Sequence, residues 1–330
     1  LANIWNDQTT DPLTIRVSAR LGSRDAIMRA IAIATDVTQD EPTRLAMLTA
    51  LQELGAADTC LDPALKLLRD SKLTSVRLAA LKLLSRFADQ RITEELLRLY
   101  SEMNDPIRSR TRDVLLARST SALAFLRTVD RGEFSPEEVS IAQLRRVALH
   151  NHAKLDALVR KHWGNIRAGT PEEKLAEIRR INNDLRAGIG DLEGGQRIFE
   201  KRCASCHQMF GSGKPIGPDL TKANRGDRDF LLVSIVDPSA QIRKEYLSYV
   251  VVTVDGRVVS GLLVEESEGA VTILGAKNEQ TVISRDDIEK MQVSPVSLMP
   301  ENILKDLTPQ ETRDLMRYLQ DNGTLHQKSR

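Results

Sequence analysis

Cys203-Ala204-Ser205-Cys206-His207 is a C-x-x-C-H run, and it restricts what this 330-residue chain can fold into more than any other feature. Two thiols at that spacing can form thioether bonds to the vinyl groups of a haem, while the adjoining imidazole reaches the iron from one face. The flanking segments must then be arranged about a macrocycle. A redox dithiol would need a βαβ setting, and a structural zinc site would need a second pair of Cys or His ligands. Neither is present: there are three cysteines, and the third, Cys60, lies far upstream in a helical region, where it reads as a small buried apolar residue. The expected cofactor is one covalently attached haem c.

At this length the chain has material for two or three domains with real cores. Lys plus Arg number 47 against 46 for Asp plus Glu, so charge gives no reason to expect nucleic acid as a partner. No stretch has the length and apolarity of a membrane span, and the chain opens Leu1-Ala2-Asn3 without a signal peptide. Covalent haem attachment normally takes place outside the cytoplasmic membrane. The expected location is therefore periplasmic or otherwise extracytoplasmic, with the chain a piece of a longer exported precursor.

Residues 1–185 read as a helical repeat domain. An apolar ladder at i, i+4, i+7 and i+8 occurs as Thr43/Met47/Ala50/Leu51, as Val76/Ala80/Leu83/Leu84 and as Ile107/Thr111/Val114/Leu115. An arginine stands inside the start of each, at Arg44, Arg77 and Arg108, so the steps are 33 and 31 residues, the size of one helix pair. The pattern predicts a short α-solenoid, with Arg16, preceded by Asp11-Pro12, marking a truncated first repeat. Pro42 and Pro106 follow acidic residues near helix starts. Ser135-Pro136-Glu137-Glu138 and Thr170-Pro171-Glu172-Glu173 both have the form of a capping box. The Asp-Pro-x-Arg flavour resembles HEAT repeats. A solenoid of this kind acts as a scaffold or presents a concave docking face. His150, His152 and His162 are poor metal ligands, since the first two point to different sides of a helix and no acidic cluster accompanies them.

Leu185 to Gly195, with four glycines, reads as a linker into a second domain covering 186–330. Gly195, Phe199 and Cys203 follow at steps of four, which predicts a helix ahead of the C-x-x-C-H run with Phe199 directed toward the haem. That spacing resembles the N-terminal helix of class I cytochromes c. Ile216-Gly217-Pro218-Asp219-Leu220 resembles the loop in which a proline carbonyl accepts a hydrogen bond from the proximal histidine. Carried over, Pro218 would hold Nδ1–H of His207 and turn Nε2 toward iron.

Methionine is the leading candidate for the sixth ligand. Ser297-Leu298-Met299-Pro300 precedes Thr308-Pro309-Gln310-Glu311, a third capping-box pattern, and a helix with Leu315, Tyr318 and Leu319. This arrangement resembles the C-terminal half of class I cytochromes c, whose first and last helices cross, and it implies Met299 as distal ligand. Met209 is too close in sequence to His207 to reach the opposite haem face, Met316 sits inside the last helix and His326 in a polar tail. Met291 remains the competitor.

Between His207 and Met299 lies material beyond a minimal cytochrome. Tyr249–Val254 runs through the hairpin turn Asp255-Gly256 into Arg257–Val264, and shorter strands follow at Ala270–Leu274 and Gln280–Ser284, separated by Lys277-Asn278. The expectation is an inserted β-meander of about four strands, within about 246–285, in an otherwise mainly α chain.

Residues 191–323 resemble the planctomycete-type (PVC-type) haem-binding domain. The resemblance rests on Cys203–His207, Gly217-Pro218-Asp219-Leu220-Thr221, Val236-Asp237-Pro238-Ser239 with Tyr246, Val254-Asp255-Gly256-Arg257 with Gly261, and Ser297-Leu298-Met299-Pro300-Glu301. It implies electron transfer by a low-spin haem c, outside the enzyme class, with Cys203 and Cys206 anchoring, His207 and Met299 ligating, Pro218 orienting, and Phe199, Phe210 and Leu220 lining the pocket. It further implies a redox partner protein or a fused dehydrogenase-like domain. The rival readings are a peroxidase or gas sensor with an open distal position, and an interaction module whose haem is structural.

Overall fold

The computed structural model describes residues 11–54, 58–276 and 278–323, so His326 and Lys277 lie outside the described residues. The chain is mainly helical and clusters into two compact units, Leu1–Leu158 and Val159–Arg330. No helix among the described residues is long and apolar enough to cross a membrane.

The first unit runs α1 (Pro12–Arg20), α2 (Arg24–Thr35), α3 (Glu41–Glu53), α4 (Leu61–Asp70), α5 (Thr74–Leu84), α6 (Gln90–Leu99), α7 (Asp105–Leu115), α8 (Ser119–Asp130) and α9 (Ile141–Ala148), and α10 (Ala153–Trp163) passes through the division. Alternate helices stack: α1 on α3 on α5 on α7 in one row, α2 on α4 on α6 on α8 in the other. The ladders drive this, because Met47, Ala50, Leu51, Val76, Ala80, Leu83, Leu84, Ile107, Thr111, Val114 and Leu115 are all buried. Leu144 and Val147 of α9 continue the same spacing.

The repeated arginines have a specific task. Arg44 Nε donates to the Ala34 carbonyl at 3.0 Å, Arg77 Nε to Leu68 at 2.8 Å, and Arg108 Nη2 to Met103 at 2.9 Å. Each acceptor lies at or just beyond the end of the preceding helix, where carbonyls have no intrahelical donor. A second series joins consecutive repeats: Arg86 donates to Gln52 O, Arg118 Nη2 to Ser85 O at 2.9 Å, and His150 Nε2 to Leu116 O at 2.9 Å. His150 is thus the counterpart of two helix-end arginines. Arg16 falls outside the first series: it pairs with Glu53, and Ile15, Ser18 and Ala19 form the buried face of α1.

Two of the three capping boxes take other forms. Ser135 caps a single 3-10 turn, Pro136–Glu138, and the box that opens α9 is Ser140 with Gln143. The helix after Thr170 begins at Glu172 without a side-chain cap. Thr308 with Glu311 does form the box.

The second unit runs β1 (Asn165–Ile166), α11 (Glu172–Arg186), α12 (Leu192–Arg202), β2 (Gln208–Met209), β3 (Ser212–Gly213), α13 (Arg228–Val236), β4 (Gln241–Ile242), β5 (Ser248–Thr253), β6 (Val258–Glu266), β7 (Ala270–Leu274), β8 (Gln280–Ser284), β9 (Ile288–Val293) and α14 (Pro309–Leu319). Its main core joins Ile181, Phe199, Met209, Leu231, Leu232, Leu304, Leu315, Met316 and Tyr318. Helix α11, grouped by sequence with the repeats, packs on α13 and α14 here.

The glycine-rich stretch serves close packing. A Cβ on Gly195 would lie 2.0 Å from Asp314 O, and one on Gly190 2.2 Å from Arg313 O, so the glycines let α12 and its lead-in touch α14 backbone to backbone. Both Gly194 and Gly195 are helical, within the first turn of α12.

The meander contains a fifth strand. The antiparallel order is β8-β7-β6-β5-β9, with β9 returning to the free edge of β5. A register shift between Val252 and Thr253 obscures the strand alternation that would have announced this pairing. One group of side chains, Val251, Val271, Ile273 and Ile283, forms a core of its own with Tyr249, Val259, Leu263, Ile288 and Met291.

Candidate haem site

Helix α12 delivers the C-x-x-C-H run. Its end is continued by Cys203 N and Ala204 N donating to Phe199 O, and by Cys206 N and His207 N donating to Cys203 O at 3.0 and 2.9 Å. Both cysteines are free and half-buried. Burial pushes the Cys203 thiol up to about 12, with Cys206 adding to the effect, so at neutral pH it is held as the uncharged S–H.

After His207 the chain turns through β2 and β3, a hairpin made tight by positive φ at Phe210 (50°) and Gly211 (84°). It then returns under the run: Lys214 N donates to Ala204 O, and Ile216 N and Gly217 N both donate to Cys206 O, at 2.9, 3.0 and 2.7 Å. This return brings the Pro218 carbonyl 3.0 Å from His207 Nδ1. Since a carbonyl only accepts, Nδ1 carries the proton and Nε2 has the lone pair. Burial holds His207 below the ordinary imidazole value, against the raising effect of the Pro218 bond, and so favours the neutral, ligand-competent ring.

Gly217 makes that geometry available. A Cβ there would stand 2.7 Å from His207 Cε1 and 3.0 Å from Nδ1. This role is not legible in the sequence, because a Gly-Pro pair signals a turn before it signals contact with a ring.

Phe199 is fully buried, with its ring centroid 5.5 Å from that of Tyr318 between α12 and α14. Leu220, Phe210, Cys203 and Met299 are half-buried and pack against the same core. Phe210 N donates to Thr221 Oγ1 at 2.7 Å, and the buried Arg225 guanidinium lies 4.9 Å from the Phe210 ring centroid. Arg225 also donates to Leu319 O and Asp321 O at the end of α14, tying the hairpin to that helix. Of the four methionines, Met209 and Met316 are buried inside the core on which Cys203 packs, Met299 is half-buried against that same core, and Met291 lies against the sheet core.

The inserted sheet also reaches the site. Leu262 and Leu274 pack with Ile216, and Cys206, Tyr246 and Leu298 close around them. No local signal ties strands at 262 and 274 to a cysteine at 206, so this wall was invisible in the sequence. Among the described residues, no three His, Cys, Asp or Glu side chains gather to hold a metal ion.

The residues present therefore fit a covalent haem: two free half-buried thiols and an oriented neutral imidazole, with Cys203 and the Met299 thioether against one apolar core and Cys206 against a second. No curated protein matches this chain. The sequence model of the family described as Cytochrome c matches residues 192–245, from the first residue of α12 to just beyond β4. The chain carries a cytochrome c domain, of the kind that binds haem c covalently and serves haem-based electron transfer.

Proposed function

We propose that the second unit is an electron-transfer module with one haem c held by Cys203 and Cys206 and ligated by His207 and Met299. The observation that carries this reading is the 3.0 Å bond between His207 Nδ1 and Pro218 O directly beneath the C-x-x-C-H run. Bound there, haem supplies a one-electron couple whose ferrous form is favoured by a thioether ligand and apolar surroundings. The chain's own residues hold the proton on Nδ1, keep the ring neutral and exclude water with Leu262, Leu274 and Leu298. Two strong axial ligands would leave no position for substrate, which favours a carrier over a peroxidase or gas sensor.

The wider context belongs to the same proposal. The two rows of stacked helices support a HEAT-like solenoid used as a scaffold. The order of motifs supports a PVC-type domain working outside the cytoplasmic membrane, with a redox protein or a fused dehydrogenase-like domain as donor.

The test is an absorption spectrum of protein matured in an export-competent host, oxidised, reduced, and reduced with carbon monoxide, for the parent and Met299→Ala. The parent is expected to show low-spin c-type bands, an iron-to-methionine charge-transfer band and no response to carbon monoxide. Met299→Ala is expected to lose that band and bind carbon monoxide. A parent that is high-spin or binds carbon monoxide overturns His/Met ligation and makes catalysis or sensing the better reading.

A further inference from the structure

Met299 sits in a loop between β9 and α14, and a loop does not fix a thioether by itself. Its two flanks are fastened to one short segment that lies more than fifty residues away. On the N-terminal side, Ser297 N donates to Ser239 Oγ at 3.1 Å, and Met299 N donates to Ser297 Oγ at 3.1 Å. Just upstream, Ser294 N donates to Ser248 O and Ser248 Oγ to Val296 O, at 2.8 and 2.7 Å. On the C-terminal side, Lys174 Nζ bridges Glu301 Oε1 at 2.6 Å and Asp237 Oδ1 at 2.9 Å. Asp237 has a fully buried carboxylate, shared with Arg167 at 3.2 Å.

We propose that Asp237-Pro238-Ser239, with Lys174 of α11, is a two-point clamp that positions Met299. Ser239 fixes the chain two residues before the ligand, and Asp237 through Lys174 fixes it two residues after. Both anchors come from the turn that follows α13, where Asp237 N donates to Val233 O and Ala240 N to Asp237 O, so a rigid helix end is their common base. A clamp of this kind lowers the entropy of the loop before any ligand bond forms, which is how positioning residues strengthen ligation. Lys174 lies outside the 192–245 match, so part of the positioning machinery sits upstream of the cytochrome c segment.

This inference rests on the proposed His207/Met299 ligation, and its test separates the two. Full-chain Ser239→Ala, Lys174→Gln and the double variant are compared with the parent and with Ser239→Thr, which keeps the hydroxyl. In haem-free protein, peptide-level hydrogen exchange over 294–301 is measured. In matured protein, the iron-to-methionine band and carbon monoxide uptake are measured, with circular dichroism confirming the fold. One neutral hydrogen bond shifts such an equilibrium roughly fivefold. Exchange over 294–301 is therefore expected to rise about fivefold in Ser239→Ala and further in the double variant, with a matching loss of the band and gain of carbon monoxide binding, while Ser239→Thr follows the parent. Folded variants with parental exchange and a parental band overturn the clamp. A parent without the band, whose loop still loosens in the variants, overturns Met299 ligation and leaves the clamp in place.

Discussion

Gly217 lies against the imidazole that the whole site is built to orient, and it is the position where one added carbon does most damage. An alanine Cβ would meet His207 Cε1 at 2.7 Å and Nδ1 at 3.0 Å, with the ring already fixed on Pro218 at 3.0 Å. The ring must tilt, the bond lengthens, and overpacking of this kind costs about 1–3 kcal/mol. Gly217→Ala is expected to lower the thermal midpoint of the haem-free chain and to disturb the axial spectrum of the matured one; unchanged values in both would show that the loop yields instead. Tyr100 gives a residue-scale pH effect in the first unit. Its hydroxyl donates to Glu138 at 2.9 Å and accepts from Arg112 at 2.8 Å, and burial, the dominant cause, pushes it up to about 12. The unfolded ring ionises near 10, so between pH 10 and 12 the folded state retains a proton the unfolded state has lost, and stability falls as pH rises, by about 2–3 kcal/mol at most. In urea titrations, Tyr100→Phe is expected to be flatter than the parent across that window; parallel curves would refute the shift. The C-x-x-C-H chemistry was legible at this scale because its ligands are adjacent in sequence, whereas the roles of Gly217 and His150 depend on atoms brought in by the fold.

At the scale of elements, the helix ladders were legible because a 3.6-residue period writes a buried face directly into the sequence. What each ladder's arginine does was not, since its acceptor is a carbonyl on another helix. Arg44 and Arg77 make the same bond in different surroundings: Arg44 is 4% exposed, while Arg77 is half-buried. Removing the donor strands a buried carbonyl in the first case, and in the second water can take its place. Arg44→Met is expected to cost about 1.5–3 kcal/mol and Arg77→Met about 0.5–1.5 kcal/mol, read as shifts in urea midpoint. Equal costs would mean that lost packing of the aliphatic stem outweighs the cap. The glycine contacts between α12 and α14 are hidden for the same reason, since partners far apart in sequence leave no local period, whereas the fifth strand is hidden by the irregularity in its pairing with β5.

At the scale of the whole molecule, the question is where the haem-bearing unit begins. The repeats and the glycine-rich stretch after them predict a start at 186, whereas the compact unit begins at Val159. The difference is the end of α10, β1 and α11, and its consequence is energetic. Ile181 is 1% exposed in the core that holds Phe199, Leu231 and Tyr318, with Ile178 and Leu185 packed beside it. Losing even one fully buried isoleucine costs about 2–5 kcal/mol. Starting at 187 also removes Lys174 and Arg167, leaving the Asp237 carboxylate buried without its cations, which costs about 3–5 kcal/mol more. Together these approach the 5–15 kcal/mol total stability of an ordinary domain. A fragment spanning 159–330 is therefore expected to unfold in urea as one sharp transition, and a fragment spanning 187–330 to show a broad, early one with the Phe199 core open to hydrogen exchange. Equal midpoints and equal protection would place α11 outside the cooperative unit and return the boundary to 186. The expected result makes the family-matched segment, 192–245, only the middle of the folding unit: the helix before it closes the core, and the sheet and methionine loop after it close the site.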